Sequence, residues 1–385
     1  MLTIAILGAG AISDSHIRAY LALRDRCRIV ALADLYPDKA TEKAAKYGLS
    51  VPVFAKHEDL LAAQSFDAAS ICLPPFVHAS AAVDLLRAGK HVLVEKPMAT
   101  CLQECDAMNA AANESGRVLS VVSQNRFKTP VMRLKGVLES GLIGKVLHAQ
   151  ADSLWWRGHN YYDLWWRGTW DKEGGGCTMN HAVHHIDIFQ WLMGMPAEVR
   201  AVAVNLAHDN SEVEDFSTAV LRFADGRLGQ ITASLIHHGE EQQLLVQGER
   251  AAVAVPWRVT ATRSTANGFP EEDAALRAEL LALYDALPAV RHEGHNGQID
   301  NFLNAIEGRE PLLVDGNQGR RTLELITAIY LSAHLDRPVT LPLPPAAPFY
   351  TREGILANAR RFHEKTRSVE GFGANDITLG RNLGH

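Results

Sequence analysis

Charged residues at the end of an apolar strand are the first sign of chemistry in this chain. In "AGKHVLVEKPMAT", residues 88–100, the run His91-Val92-Leu93-Val94 reads as a strand inside a parallel sheet, yet it leads straight into Glu95-Lys96-Pro97. A carboxylate and an ammonium are costly there if merely buried, so water or a ligand must meet them. A second group follows the glycine run Gly174-Gly175-Gly176, which predicts an unobstructed loop. In "NHAVHHIDIFQWL", Asn180, His184 and Asp187 stand at i, i+4 and i+7, the spacing of one shared helical face. An imidazole near its ordinary pKa of about 6.5 suits a general base. On the same stretch His181 and His185 have the i, i+4 spacing of a metal pair, with Asp187 nearby. Histidines that simply pack on the helix are the plain alternative. No metal is expected.

The third group is "IAILGAGAISDSHI". Gly8-Ala9-Gly10-Ala11-Ile12-Ser13 follows a strand and opens a helix, where Gly8 permits a tight turn and Gly10 lets the backbone approach a pyrophosphate at the helix N-terminus. Ser13 stands where a third glycine would, and is small enough for close helix–strand packing. Asp34 ends the next strand at the spacing of an acid that binds ribose hydroxyls. With Leu35 beside it and no adjacent arginine, it favours NAD, with NADP still possible. A helix cap is the other reading of Asp34.

Positioning these groups requires two kinds of sheet. Strand candidates Thr3–Leu7, Arg28–Ala33, Ala68–Leu73, His91–Glu95 and Val118–Val122 alternate with helical segments that stop at glycines such as Gly48 and Gly89. This predicts an α/β Rossmann domain over residues 1–125. Longer strand-like runs follow at Val146–Leu154, Val199–Leu206, Phe216–Phe223, Leu228–Leu235 and Gln242–Val246, with helices near 271–287, 294–308 and 317–335. They predict an α+β domain over 126–342 with a large, open, mostly antiparallel sheet. A C-terminal extension over 343–385 begins with "LPLPPAAP", which should be extended and stiff.

A chain of 385 residues exceeds what one core usually holds, which fits two domains. Its composition, 47% hydrophobic and 21% charged, is that of ordinary soluble proteins. The formal charge of −6 gives no basic surplus for nucleic acid. No apolar run reaches the roughly 20 residues that cross a bilayer, so no membrane partner is expected. The N-terminus lacks a basic leader and reads as the first strand. Five cysteines (Cys27, Cys72, Cys101, Cys105, Cys177) form no Cys-x-x-Cys pair, which suits a reducing cytoplasm.

Taken together, the glycine loop, "ICLPPFVHASAAVDLLRAGKHVLVEKP", "GGGCTMNHAVHHIDIFQWLMG" and the segment from His295 to about Ala333 resemble the glucose–fructose oxidoreductase/inositol dehydrogenase/rhizopine catabolism (Gfo/Idh/MocA) family. The resemblance implies a Rossmann domain that binds NAD(P) through Gly8, Gly10, Ala11, Ile12, Asp34, Leu73, Pro74, His78, Glu95, Lys96 and Asn125. His78 would lie near the nicotinamide ribose, or else cap a helix. It places Lys96 beside the substrate hydroxyl, where an ammonium stabilises the oxygen as hydride leaves carbon. Pro97 would fix the turn, through a cis bond. His184 corresponds to the base that accepts the hydroxyl proton. The family commonly has aspartate where this chain has Asn180. Asn180 can still orient His184, and Asp187 is then expected to supply the missing negative charge. Members form dimers or tetramers through the second sheet.

The aromatic stretch "LWWRGHNYYDLWWRGTW", residues 154–170, holds five of the seven tryptophans. Aromatic faces pack on sugar C–H faces, and arginines serve hydroxyl or carboxylate groups, so Arg157, Tyr161 and Trp166 join Lys96, Asn180, His184 and His295 as candidate substrate contacts. Core or oligomer packing is the competing role. The resulting expectation is a dehydrogenase or reductase acting on a secondary hydroxyl or ketone of a sugar, cyclitol or sugar derivative. The alternatives are an NAD-assisted glycoside hydrolase and a catalytically silent cofactor sensor.

Overall fold

Six parallel strands make the first sheet of the computed structural model, which describes residues 1–371. They are β1 (Leu2–Leu7), β2 (Cys27–Ala33), β3 (Val53–Phe54), β4 (Ala68–Ile71), β5 (His91–Val94) and β6 (Leu119–Val121), in the order β3-β2-β1-β4-β5-β6. Helices α1 (Ser13–Ala22), α2 (Pro37–Lys46), α3 (His57–Ala63), α4 (His78–Arg87) and α5 (Leu102–Ser115) alternate with them. Val92, Leu93 and Val94 are fully buried because both faces of the sheet are covered. Strand order reverses between β1 and β4, and such a reversal opens a crevice at the carboxyl ends. The glycine loop, the "CLPP" segment and Glu95-Lys96 all leave strands at that edge. This is the expected Rossmann arrangement.

The second sheet has nine strands. After α6 (Thr129–Glu139) come β7 (Val146–Leu154), the short helix α7 (Cys177–Asn180), and α8 (Val183–Met193). Strands β8 (Glu198–Val204), β9 (Phe216–Arg222), β10 (Leu228–Ser234), β11 (Gln242–Gly248), β12 (Ala251–Val255), β13 (Arg258–Ser264) and β14 (Pro270–Glu272) follow. The chain then runs through α9 (Ala274–Ala286), α10 (Gly294–Ile306), α11 (Gly316–Leu335), β15 (Val339–Thr340) and α12 (Arg352–Asn358). The order is β14-β13-β12-β11-β7-β10-β9-β8-β15, antiparallel except where β7 meets β10. On β9, Ser217, Ala219 and Leu221 point inward while Val220 and Arg222 face out, the alternation of a sheet covered on one side. Helices α8 and α11 supply that cover.

Four local expectations need correction. Strands β12 to β15 lie beyond the five runs expected in this sheet. The helix expected from residue 271 starts at Ala274, after β14. "LPLPPAAP" is not extended throughout: Ala347 N–H donates to Pro344 O and Tyr350 N–H to Ala347 O, which closes turns. Most important for the site, the helix expected across "NHAVHHIDIFQWL" breaks between Asn180 and Val183. Helix α10 also packs on α1, with Ile299, Phe302 and Leu303 joining Ile4, Ile6, Ile17 and Tyr20 in one apolar cluster.

Candidate active site

At the end of β5 the buried charges find partners. His16, fully buried on α1, meets Glu95 Oε1 through Nε2 at 2.9 Å and Ser70 through Nδ1 at 3.2 Å, and the Tyr20 hydroxyl closes the chain on Ser70 at 2.7 Å. His295, at the start of α10, brings Nε2 to 3.6 Å from the same Glu95 oxygen. Burial raises the Glu95 carboxyl, but the His16 hydrogen bond and the neighbouring His16 and His295 imidazoles outweigh it and hold it well below the usual carboxylate range. His16, Glu95 and His295 are the potential metal-ligand trio among the described residues, rather than His181 and His185. A cation there would have to displace the His16–Glu95 bond.

Lys96 follows, through a Lys96–Pro97 bond that is cis. Its Nζ donates to the main-chain carbonyl of Asn180 over 3.1 Å. Burial lowers the Lys96 amine, while the adjacent Glu95 charge opposes that shift. Four residues on, across the break between α7 and α8, the His184 imidazole lies well below its ordinary value, first from burial and then from the Lys96 ammonium. A neutral imidazole and a held ammonium therefore share one junction between the halves of the chain.

The glycine run before Asn180 is crowded rather than open. A side chain on Gly175 would overlap the Tyr330 hydroxyl, and one on Gly176 the main-chain oxygen of Glu214. Glu214, buried, accepts from Gly176 N at 3.1 Å, Thr178 N at 3.0 Å and the Tyr330 hydroxyl at 2.9 Å. Only a chain without side chains can lie this close to that pedestal.

Two expected partners of His184 face elsewhere. The Asn180 amide donates to Gly175 O at 3.1 Å and Gly176 O at 3.4 Å, so it ties down its own loop instead of orienting the imidazole. Asp187 receives the fully buried Arg126 in two bonds of 2.7 Å, and a third from Thr322 at 2.9 Å. It anchors α8 to α11 and to the 3-10 turn Gln124–Phe127. The break in the helix removes the common face on which both roles depended.

His78 is corrected as well. It is fully buried, and its nitrogens face two carbonyls, Pro97 O at 2.9 Å and Leu73 O at 2.7 Å. It joins the "CLPP" segment to the Lys96-Pro97 turn and leaves no polar atom for a ribose. Leu73 and Pro74 remain half-exposed beside it.

The aromatic stretch divides. Trp155, Tyr162 and Trp170 are core residues, and Trp156 stacks on His238 at the surface. Tyr161 is half-buried, and its hydroxyl meets His181 Nε2 at 3.3 Å and accepts from Arg167. Arg167 lies 4.4 Å over the Trp166 ring and pairs with the buried Glu173 at 3.3 Å. Burial pushes the Glu173 carboxyl up to about 7 against the pull of Arg167. Arg157 pairs with Glu240 at 2.5 Å, on the rim of this group. Sequence reasoning missed Arg126, Glu173, Glu214 and His16. Only His16 carried a signal, as a polar residue on the buried face of the helix after the glycine loop.

A family model of oxidoreductases with an NAD-binding Rossmann fold matches residues 2–123, and the GFO/IDH/MocA C-terminal domain matches residues 131–254. This chain belongs to the Gfo/Idh/MocA family. It is an NAD-dependent oxidoreductase. Inositol 2-dehydrogenase from Rhizobium meliloti is 27% identical over 343 residues, covering 87% of this chain and 98% of that protein. D-glucoside 3-dehydrogenase from Escherichia coli is 24% identical, covering 88% and 97%. Among solved structures, the WlbA dehydrogenase from Bordetella pertussis, in complex with NADH and UDP-GlcNAcA, is 30% identical with a TM-score of 0.77, covering 89% and 98%.

The residues present fit a dinucleotide. Gly8 has φ +99 and lies against the Cys72 carbonyl, while Gly10 has open space where a side chain would begin. Asp34 accepts from Ala9 N at 2.6 Å and Tyr36 N at 2.8 Å, which fixes a carboxylate at the ribose end without capping α2 through its first turn. Ala11 is exposed and Ile12 half-exposed on the loop. Asn125 is only 2% exposed, and neither atom of its amide has a partner among the described residues. A buried amide left so is costly, and its donor and acceptor suit a carboxamide.

Proposed function

We infer that the protein oxidises a secondary hydroxyl of a sugar, cyclitol or sugar derivative, or runs the reverse reduction. The observation that carries this reading is the Lys96 contact to Asn180, which holds an ammonium next to the neutral imidazole of His184. A neutral imidazole accepts the hydroxyl proton, and the ammonium stabilises negative charge developing on the same oxygen. NAD, when bound, supplies the hydride acceptor. Asp34 disfavours a 2′-phosphate at the ribose, so NAD is preferred over NADP. Tyr161, Trp166 and Arg167 form the side of the cleft that meets the ring of the substrate, with His295 and Arg157 at its margins. The names of the relatives, which act on inositol and glucosides, support a polyhydroxylated ring as substrate.

The five cysteines are free and buried, as suits a cytoplasmic enzyme. Val202, Val220 and Leu228 are exposed on the open face of the second sheet, which supports a dimer or tetramer formed there.

A panel of sugars, cyclitols and sugar acids with NAD and with NADP, followed by nicotinamide absorbance, tests the reading. Turnover of a ring alcohol or ketone supports it. Cleavage of a glycoside with no net reduction replaces it with the hydrolase, and inertness toward the whole panel overturns it.

A further inference from the structure

The aromatic segment is held from outside by the end of the chain. Trp170 Nε1 donates to Arg360 O at 3.0 Å and Phe362 N to Glu212 O at 3.0 Å. Lys365 reaches Tyr162 O, and Arg367 pairs with Asp209 at 2.9 Å. Val369 N donates to Asp163 O at 2.7 Å, and Trp165 N to Val369 O at 3.0 Å, so the two stretches pair as a short ladder.

One side chain joins both partners. Asn210 is 1% exposed, and its Nδ2 donates to Asp163 Oδ1 at 2.7 Å and Arg367 O at 3.0 Å. Its Oδ1 accepts from Thr366 N at 2.8 Å and Arg367 N at 2.9 Å. Every polar atom of this amide is spent between the segment and the strap. On the inner side, the same segment presents Tyr161 to His181, the residue after the one that holds Lys96, with Arg167 donating to the Tyr161 hydroxyl.

We propose that Asn210 and the strap over residues 360–369 position the substrate-facing wall of the active site, so that the C-terminal segment sets substrate affinity and selectivity without touching the reacting groups. This rests on the reading above that Tyr161, Trp166 and Arg167 meet the substrate. Loss of a buried, fully bonded amide leaves its partners on both stretches unsatisfied, which is enough to free a surface ladder of this size.

Asn210→Ala and Val369→Pro, each in the full-length protein, test it. Val369 is 40% exposed, so its proline variant removes one donor at little risk to the fold. Hydrogen exchange over residues 159–170 should speed up about tenfold or more in both variants. KM for the sugar found by the panel should rise roughly tenfold, with kcat within about threefold and NAD affinity unchanged. Unchanged exchange in both variants overturns the strap. Faster exchange with unchanged KM overturns its role in substrate affinity and takes the aromatic segment out of the substrate wall. If the wild type turns over nothing, the functional reading has failed, and the exchange measurement alone still decides whether the strap holds the segment.

Discussion

The Lys96 ammonium donates to the Asn180 carbonyl over 3.1 Å, so a side chain leaving the first sheet is held by the main chain of a helix stub in the second half of the protein. A carbonyl fixes the position of the ammonium without cancelling its charge. In the proposed reaction that charge is left for the substrate oxygen, and the contact ties the first sheet to the helix stub that bears Asn180.

Lys96→Ala should therefore lower kcat by about 10²–10³ while leaving NAD affinity within a few-fold, measured by steady-state kinetics and cofactor fluorescence. Glu95→Gln removes the negative charge that opposes the lowering of the Lys96 amine. With that charge gone, Lys96 loses its proton at lower pH, and the alkaline limb of kcat/KM should move toward neutrality. An unmoved limb would separate Lys96 from the rate.

His184 lies well below its ordinary value, so its imidazole is already neutral at pH 6.5 and, as the proposed base, ready to accept a proton. The acid limb of kcat/KM should fall below that pH, and His184→Asn should cost about 10²–10⁴ in kcat. A basic group depressed in the fold binds fewer protons than in the unfolded chain, so stability is lost as pH falls below about 6.5.

Asp187→Asn should act on stability rather than on the base. It leaves the guanidinium of Arg126 buried without its charge partner, a loss of about 3–5 kcal/mol, read as a lower denaturant midpoint. The pH–rate profile should keep its shape. A flattened profile at unchanged stability would restore the direct role beside His184.

Glu173 gives the opposite slope. Its carboxyl is pushed up to about 7, so the folded state holds a proton that the unfolded chain has released. Stability should decline as pH rises from about 4.5 to 7, by about 3 kcal/mol at most. Glu173→Gln should abolish that decline, as pH-dependent urea unfolding would show; persistence of the slope would assign it to another group.

Local patterns carried most of the fold and the centre of the site into view. The glycine loop, the strand ending in Glu95-Lys96 and the stretch bearing His184 are each contiguous, so spacing alone brings out their chemistry. The partners were hidden for a physical reason. Arg126 and Asp187 are 61 residues apart, and nothing local tells a buried carboxylate from a catalytic one. The helix break left no mark, because apolar residues such as Met179, Val183 and Ile186 continue the helical pattern across it. On β13 only Val259 and Ala261 are withdrawn from solvent, too few for an alternating signal.

Helix α10 has a consequence for how the protein comes into being. Arg26, at the foot of α1, is clasped by Asp300 across 274 positions, and Phe302 is completely covered in the same contact. Sealing that ring is worth about 2–3 kcal/mol, a large share of the margin by which a small unit stays folded. During synthesis, the apolar flank that α10 covers would stay bare until residue 306 has emerged. A gene cut after residue 125 would yield a sticky fragment, not a free-standing coenzyme module.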